Sequence, residues 1–337
     1  MTAVAPAIPS QIVAAFSTTH TPGLGDRMHE PPPDQMERLR SGFAAGRRIL
    51  DDARPELLIA FVNDHFDMFS LGNMPTFAIA VSDEHAGPPA DAEAWLQMKR
   101  RRVAGHAGYA LDLLKEAIKA DFDVTRTGSS EFVHNLLMPL KFLRPECDIP
   151  VVPVFVNCFA PPLPSFRRCY ELGQVIGRVI ARRPERVALL ASGGISHWPP
   201  FAHEDDPQPD ELARRMLRIQ HLGAAGRRAD PGVRDLLHRK EAELAASDRE
   251  LINVKWDRRL LELFGQGDVE ALTSFTYDEV ERDGGNGGHE MSLWVMLMGA
   301  LGGAPGHTIF YEPVKEWMGG VGLLSYDNVL PRQRPDH

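Results

Sequence analysis

The sequence predicts an α/β protein, with a central, mostly buried sheet flanked by helices. Two observations carry this. Short apolar runs recur along the N-terminal half, and segments of helical period separate them. The runs are continuous rather than alternating, so their strands are covered on both faces.

Gln11–Ser17 (QIVAAFS) reads as the first buried strand, and Pro33–Asp52 follows with helical spacing. Glu56–Val62 (ELLIAFV) is the second strand, and Ala92–Ala120 reads as one long amphipathic helix. Val151–Val156 (VVPVFV) and Arg186–Ala191 (RVALLA) are further strands, with a helical Tyr170–Arg183 between them. Pro153 has no backbone donor, which assigns its strand to an edge or a bulge. Pro199–Pro209 is proline-rich and acidic, and Asp210–Gly265 is charged and helical in period. The C-terminal segment still has to return to the core. We therefore expect one domain over residues 1–337, with a helical insertion at about 203–265. Gly284–Gly288 (GGNGG) reads as a flexible loop. It lacks the G-K-[ST] ending of a phosphate loop and follows no strand. His289–Leu301 reads as a buried helix.

The 337 residues are ample for a large core. With 37 basic against 46 acidic side chains, the net charge of −9 argues against a nucleic-acid partner. Met1–Ser10 carries no basic run that would start a signal peptide. The apolar stretch from Met291 is interrupted by Gly299, Gly302 and Gly303 and falls short of the ~20 residues of a membrane span. Cys147, Cys158 and Cys169 form no C-x-x-C and read as reduced core thiols. The expectation is a cytoplasmic protein with no membrane or nucleic-acid partner, assembled as a homo-oligomer.

Three strands run straight into a histidine: QIVAAFSTTH ends at His20, ELLIAFVNDH at His65 and RVALLASGGISH at His197. Ligands of open α/β sheets bind outside the carboxyl ends of strands. A lone strand-end histidine is usually just a satisfied polar group, but three can converge on one point. His134 stands at the start of an apolar helix, where a core histidine is an equal reading. Glu290 begins the nearly all-apolar C-terminal helix. It is either a helix-dipole carboxylate or a metal ligand, since a buried charge needs a partner. His20, His65 and Glu290 would make the two-His-one-carboxylate set typical of non-haem Fe(II) oxygen chemistry. Zinc in a hydrolase site is the competing use of the same ligands. His134 and His197 would remain as acid–base groups.

These segments resemble the class III extradiol ring-cleavage dioxygenases. The likeness runs through STTHTPGLG, LLIAFVNDHFD, VHNLLMPLKFL, LLASGGISHWPP, NVKWDRRLLELFGQGDVEAL and HEMSLWVMLMGAL, and covers nearly the whole chain. The C-terminal third is most similar to the branch acting on dihydroxyphenylpropionate; the catalytic subunit of protocatechuate 4,5-dioxygenase belongs to the same family. The resemblance implies iron held by His20, His65 and Glu290, with His134 and His197 catalytic. It implies that O2 is inserted into a catechol-type substrate, with meta cleavage to a muconic semialdehyde-type product in aromatic catabolism. The family's D-H-G-type segment here reads Val133-His134-Asn135, a departure that bears on substrate orientation. A zinc hydrolase and a non-catalytic binding protein of the same fold are the rival readings.

Around these residues, Asp64 reads as a hydrogen-bond acceptor for a ligand imidazole or as a surface turn. Trp198, Pro199 and Pro200 read as a pocket wall or as ordinary loop packing. Arg167 and Arg168 are the candidates to meet a substrate carboxylate. His289 shares no helix face with Glu290 and is left out of the site. His29, His85, His203 and His337 read as solvated.

Overall fold

A computed structural model describes residues 8–330, except 200, 203, 205 and 249. Pro200, His203 and His337 therefore lie outside the described residues. The strands are β1 (Ile12–Thr18), β2 (Leu57–Asn63), β3 (Phe77–Ala80), β4 (Glu84–Gly87), β5 (Arg101–Ala104), β6 (Thr125–Thr127), β7 (Val151–Val156), β8 (Val187–Ser192), β9 (His307–Val314) and β10 (Gly319–Ser325). Eight form one sheet in the order β6-β3-β7-β2-β8-β1-β10-β9, while β4 and β5 pair separately. The four adjacent strands β7, β2, β8 and β1 are mutually parallel. Every residue of β2, β7 and β8 is buried, which is why they read as unbroken apolar runs.

Each face of the sheet has its own core. Helices Ala107–Lys119, Phe166–Ile180 and Met291–Ala300 bring Leu113, Ile176 and Leu297 onto Ile59, Phe61 and Leu189. Helices Pro33–Ala53 and His134–Leu143 bring Phe43 and Leu137 onto Ala60, Val62 and Leu190. A third, small core of Leu212, Met216, Ile219 and Val233 sits within helices Glu211–Leu222 and Val233–Ala245. The helix Val254–Gln266, by contrast, places Trp256, Leu260 and Phe264 in the first core. Among the described residues, no helix is long and apolar enough to cross a membrane. Cys147, Cys158 and Cys169 are buried free thiols, as expected.

Several expectations need correction. β7 is not an edge strand: it lies between β2 and β3. Leu58 donates to the Pro150 carbonyl, so the even-numbered residues of this segment face β2 and Pro153 faces the other way. The β3 ladder ends at the Ile79–Val154 pair, so the missing N–H of Pro153 costs no ladder bond. The single helix expected over 92–120 is broken. A short turn Glu93–Leu96 ends at Gln97 in a left-handed conformation, and β5 pairs with β4 before the helix resumes at Ala107. The helix expected from Tyr170 starts at Phe166, because the Ser165 hydroxyl caps the Arg168 amide at 3.2 Å. His85 is not solvated: it is fully buried in β4 and accepts the Ser130 N–H at 3.0 Å.

Candidate metal centre

The strand order decides the site. β2, β8 and β1 are neighbours, so the loops after them open side by side at one carboxyl edge. Those loops carry His65, His197 and His20. The 3-10 turn Asn286–Glu290, leading into the fully buried helix Met291–Ala300, delivers Glu290 to the same place. His134 arrives from the N-terminus of the helix His134–Leu143.

Glu290 is completely buried. Its Oε1 lies 3.3 Å from His20 Nε2 and 3.2 Å from His65 Nε2. The Asn63 side-chain amide donates to the same oxygen at 2.7 Å. Oε2 accepts the Gly194 N–H and stands 3.8 Å from His197 Nε2. His20, His65 and His134 each place a ring nitrogen within 4.8 Å of the other two. The His134 ring stacks on His65 at 4.2 Å and meets His20 at 5.3 Å, edge to face. Two donor sets thus share His20 and His65, one completed by Glu290 and the other by His134.

Hydrogen bonds fix the imidazoles. The Ser192 hydroxyl donates to the Asn135 carbonyl, so its oxygen accepts from His20 Nδ1 at 3.0 Å. A neutral His20 then presents its Nε2 lone pair to Glu290. His197 Nδ1 donates to the Ile195 carbonyl at 2.9 Å, leaving Nε2 as the basic atom when the ring is neutral. Asn135 also donates its amide to the Asn63 carbonyl at 2.8 Å, tying the His134 turn to the end of β2. The His197 ring lies against Gly194 and Gly287, where a Cβ at either position would overlap it. The GGNGG segment is therefore no free loop. Its glycines are needed for close approach, and Gly287 and Gly288 are buried.

Burial opposes ionisation of Glu290, but the charge and hydrogen bond of His20, the hydrogen bond of His65 and the charge of His197 outweigh it. The carboxyl is held well below its ordinary range. Burial depresses His65, against the pull of Glu290. It depresses His134 further, with the charges of His65 and His20 adding to the effect.

The residues fit a bound divalent metal. When His20 is neutral, its Nε2 lone pair and the carboxylate oxygen are both acceptors, and at 3.3 Å a metal ion can replace the proton that would otherwise lie between them. Among the described residues, buried Nδ1 of His65 and Nδ1 of His134 find no hydrogen-bond partner. Neutral imidazoles and a carboxylate are donors that iron and zinc both accept.

Other sequence candidates fall differently. Asp64 is no surface residue, and among the described residues it bonds no imidazole. It is buried and accepts the N–H groups of Asp67, Met68 and Phe69, building the turn after His65. Burial, then the charge of Asp67, pushes its carboxyl up to about 7. Arg167 is paired with Glu270, and Arg168 sits over Phe122. His289 pairs with Glu281 at 3.0 Å and stacks on Tyr277. Sequence reasoning missed the aromatic wall. Phe159 lies 5.3 Å from the His65 ring, Phe201 packs on Phe159 at 4.4 Å, and Trp95 lies 5.5 Å from His134. It also missed two cations. Arg227 donates to the His65 carbonyl at 2.8 Å and pairs with Asp67 at 3.0 Å, while the Arg234 guanidinium lies over the Trp95 ring at 4.6 Å. Trp198 and Phe201 line a cavity of about 310 Å³, together with Leu212, Leu244 and Lys240.

Imidazoles and one buried carboxylate at the carboxyl edge of the parallel strands of a mixed sheet define a candidate metalloenzyme of the α/β class. The family model described as "Catalytic LigB subunit of aromatic ring-opening dioxygenase" matches residues 14–322, and the chain belongs to that family. It is 35% identical over 316 residues to the 2,3-dihydroxyphenylpropionate/2,3-dihydroxicinnamic acid 1,2-dioxygenase of Burkholderia vietnamiensis, covering 91% of this chain and 94% of that one. It is 33% identical over 312 residues to the enzyme of the same name from Paraburkholderia xenovorans, covering 91% and 95%. The chain is a ring-cleaving dioxygenase, acting on an aromatic compound and dioxygen.

Proposed function

We propose that the chain is an Fe(II)-dependent extradiol dioxygenase that cleaves a single-ring catechol beside its diol, the ring bearing a short acidic side chain. The observation that carries this reading is the meeting of His20 and His65 with Glu290 at 3.3 and 3.2 Å, flanked by His134 and His197. In this reading His20, His65 and Glu290 hold the metal. Ferrous iron there would supply the electron density that activates dioxygen and the charge that favours loss of the diol protons.

The chain's own residues do the rest. His197 offers Nε2 as the base for a catechol hydroxyl, because Nδ1 is committed to the Ile195 carbonyl. His134, whose ring stacks on His65 at 4.2 Å, is our choice for the acid that assists ring opening. Phe159, Phe201 and Trp95 present ring faces that suit an aromatic substrate and exclude water. Arg234 is the cation placed to meet an anionic side chain. The product is a muconic semialdehyde-type chain carrying both oxygen atoms.

We read the whole chain as one domain. The helices from Glu211 to Ala245 are the insertion, covering the site through Arg227 and Arg234, and Val254–Gln266 returns to the main core. Three buried reduced thiols suit the cytoplasm.

The test is oxygen uptake by protein loaded anaerobically with Fe(II) and given catechol, protocatechuate, gallate and dihydroxyphenylpropionate. Uptake with a yellow ring-opened product, abolished by chelation and restored by Fe(II) with a reductant, is expected. Restoration by zinc alone would favour the hydrolase. A preference for 4-substituted acids such as protocatechuate would overturn the side-chain assignment.

A further inference from the structure

Asp257 is a buried acid with no part in the chemistry above. It lies on the helix Val254–Gln266 and is fully buried. Its Oδ1 accepts the backbone N–H of Ser196 at 2.8 Å, and its Oδ2 accepts the Tyr311 hydroxyl of β9 at 2.5 Å. The Ser196 hydroxyl accepts the Asn253 N–H at 2.9 Å, from the N-cap of the same helix. Both the main chain and the side chain of Ser196 are thus held by one helix end. The next residue is His197. Its own N–H donates to the Gly284 carbonyl at 2.9 Å, and its carbonyl accepts the Gly287 N–H at 3.1 Å.

The tether is built at a cost to stability, because a buried carboxylate is poorly solvated. Burial pushes its carboxyl up to about 6, although Tyr311 and Ser196 pull it back. An ionised acceptor holds an N–H about twice as strongly as a neutral one. A stiff tether matters here because the next side chain must keep one ring atom aimed.

We propose that Asp257 is a positioning residue for His197: it clamps the Ser196 amide and keeps His197 Nε2 directed at Glu290 and the reacting diol. The kinetic part of this rests on the ring-opening reading; the geometric part does not.

The experiment uses the full-length chain. In the Fe(II)-loaded enzyme, Asp257→Leu lowers kcat for the best catechol by about tenfold or more, with KM and iron content little changed. Asp257→Asn keeps an acceptor for Ser196 and restores most of kcat. In a His197→Phe background, Asp257→Leu adds no further loss. Crystal structures of the metal-free wild type and Asp257→Leu supply the readout without activity, with the His197 ring displaced from Glu290 while His20 and His65 stay in place. An equal fold-loss in both backgrounds, or an unmoved His197 ring, overturns the proposal. If Asp257→Leu does not fold, Tyr311→Phe removes one of the two anchors of the carboxylate and is read the same way. If the wild type opens no catechol, the ring-opening reading fails, and the crystal structures alone decide the role of Asp257.

Discussion

The Nε2 lone pair of His20 faces Oε1 of Glu290 across 3.3 Å, its tautomer fixed by the Ser192 hydroxyl on the far side of the ring. With His20 neutral, two acceptors so placed leave room for a metal ion in place of a proton. His65→Ala and Glu290→Ala should each purify with little iron and show no turnover. His134→Phe should keep its iron and lose ~10²–10⁴ in kcat, the usual worth of acid–base help. Iron analysis checks this. Loss of iron in His134→Phe as complete as in His65→Ala would move His134 into the ligand set.

His197 touches Glu290 only at 3.8 Å. His197→Phe should therefore retain iron, with a fall in kcat of the same ~10²–10⁴ order. Wild-type turnover in this variant would remove it from the reaction.

Gly287 lies under the His197 ring. Gly287→Ala should push the imidazole aside and lower kcat by ~10²-fold, the scale of a 1 Å misplacement. Metal content should not change. Activity within twofold of wild type would mean that the loop yields at no cost to catalysis.

Arg234 is seated on Trp95, beside His134, and no carboxylate among the described residues pairs with it directly. Arg234→Met should raise KM for a catechol with a carboxylate side chain by ~10-fold, about the scale of one charge-assisted hydrogen bond. KM for catechol itself should hold. Equal effects on both substrates would assign Arg234 to packing.

Asp257 gives a pH test of stability. Its folded carboxyl titrates at about 6 against an ordinary 3.8, so between these values the folded chain holds a proton that the unfolded chain has lost. Stability from this group is fullest below the ordinary value and is lost as pH rises through the folded one. Asp257→Asn has no such proton. Its Tm relative to wild type should climb between about pH 4 and pH 6 and level off above that. A difference that stays flat across that range would count against the buried charge.

The α/β class, the four central strands and the gathering of His20, His65, His197 and Glu290 were legible because each rests on a local pattern. The apolar runs end at one edge of the sheet whatever the strand order. What stayed hidden depends on contacts far apart in sequence. Pro153 is tolerated inside the sheet because the β3–β7 ladder stops one residue short of it, and no property of VVPVFV reports where that ladder ends. His85 looked solvated among polar neighbours because its cover, Ser130, comes 45 residues later. The long helix failed at a left-handed Gln97, a choice made by pairing between β4 and β5. Phe159, Phe201 and Arg234 carry no motif. Only the folded chain brings them to the site.

The insertion of β8 between β2 and β1 also shapes how the molecule assembles. The loops that flank Glu290 start from strands whose pairings join residue 12 to 187 and residue 57 to 187. Parallel pairings over such separations form slowly, because loop closure precedes their reward. An ion that needs His20, His65 and Glu290 together has no foothold on a chain lacking this central strand. Metal in the refolding buffer should thus leave the folding rate unchanged and slow unfolding, acting as a latch on the finished sheet and not as a template for it.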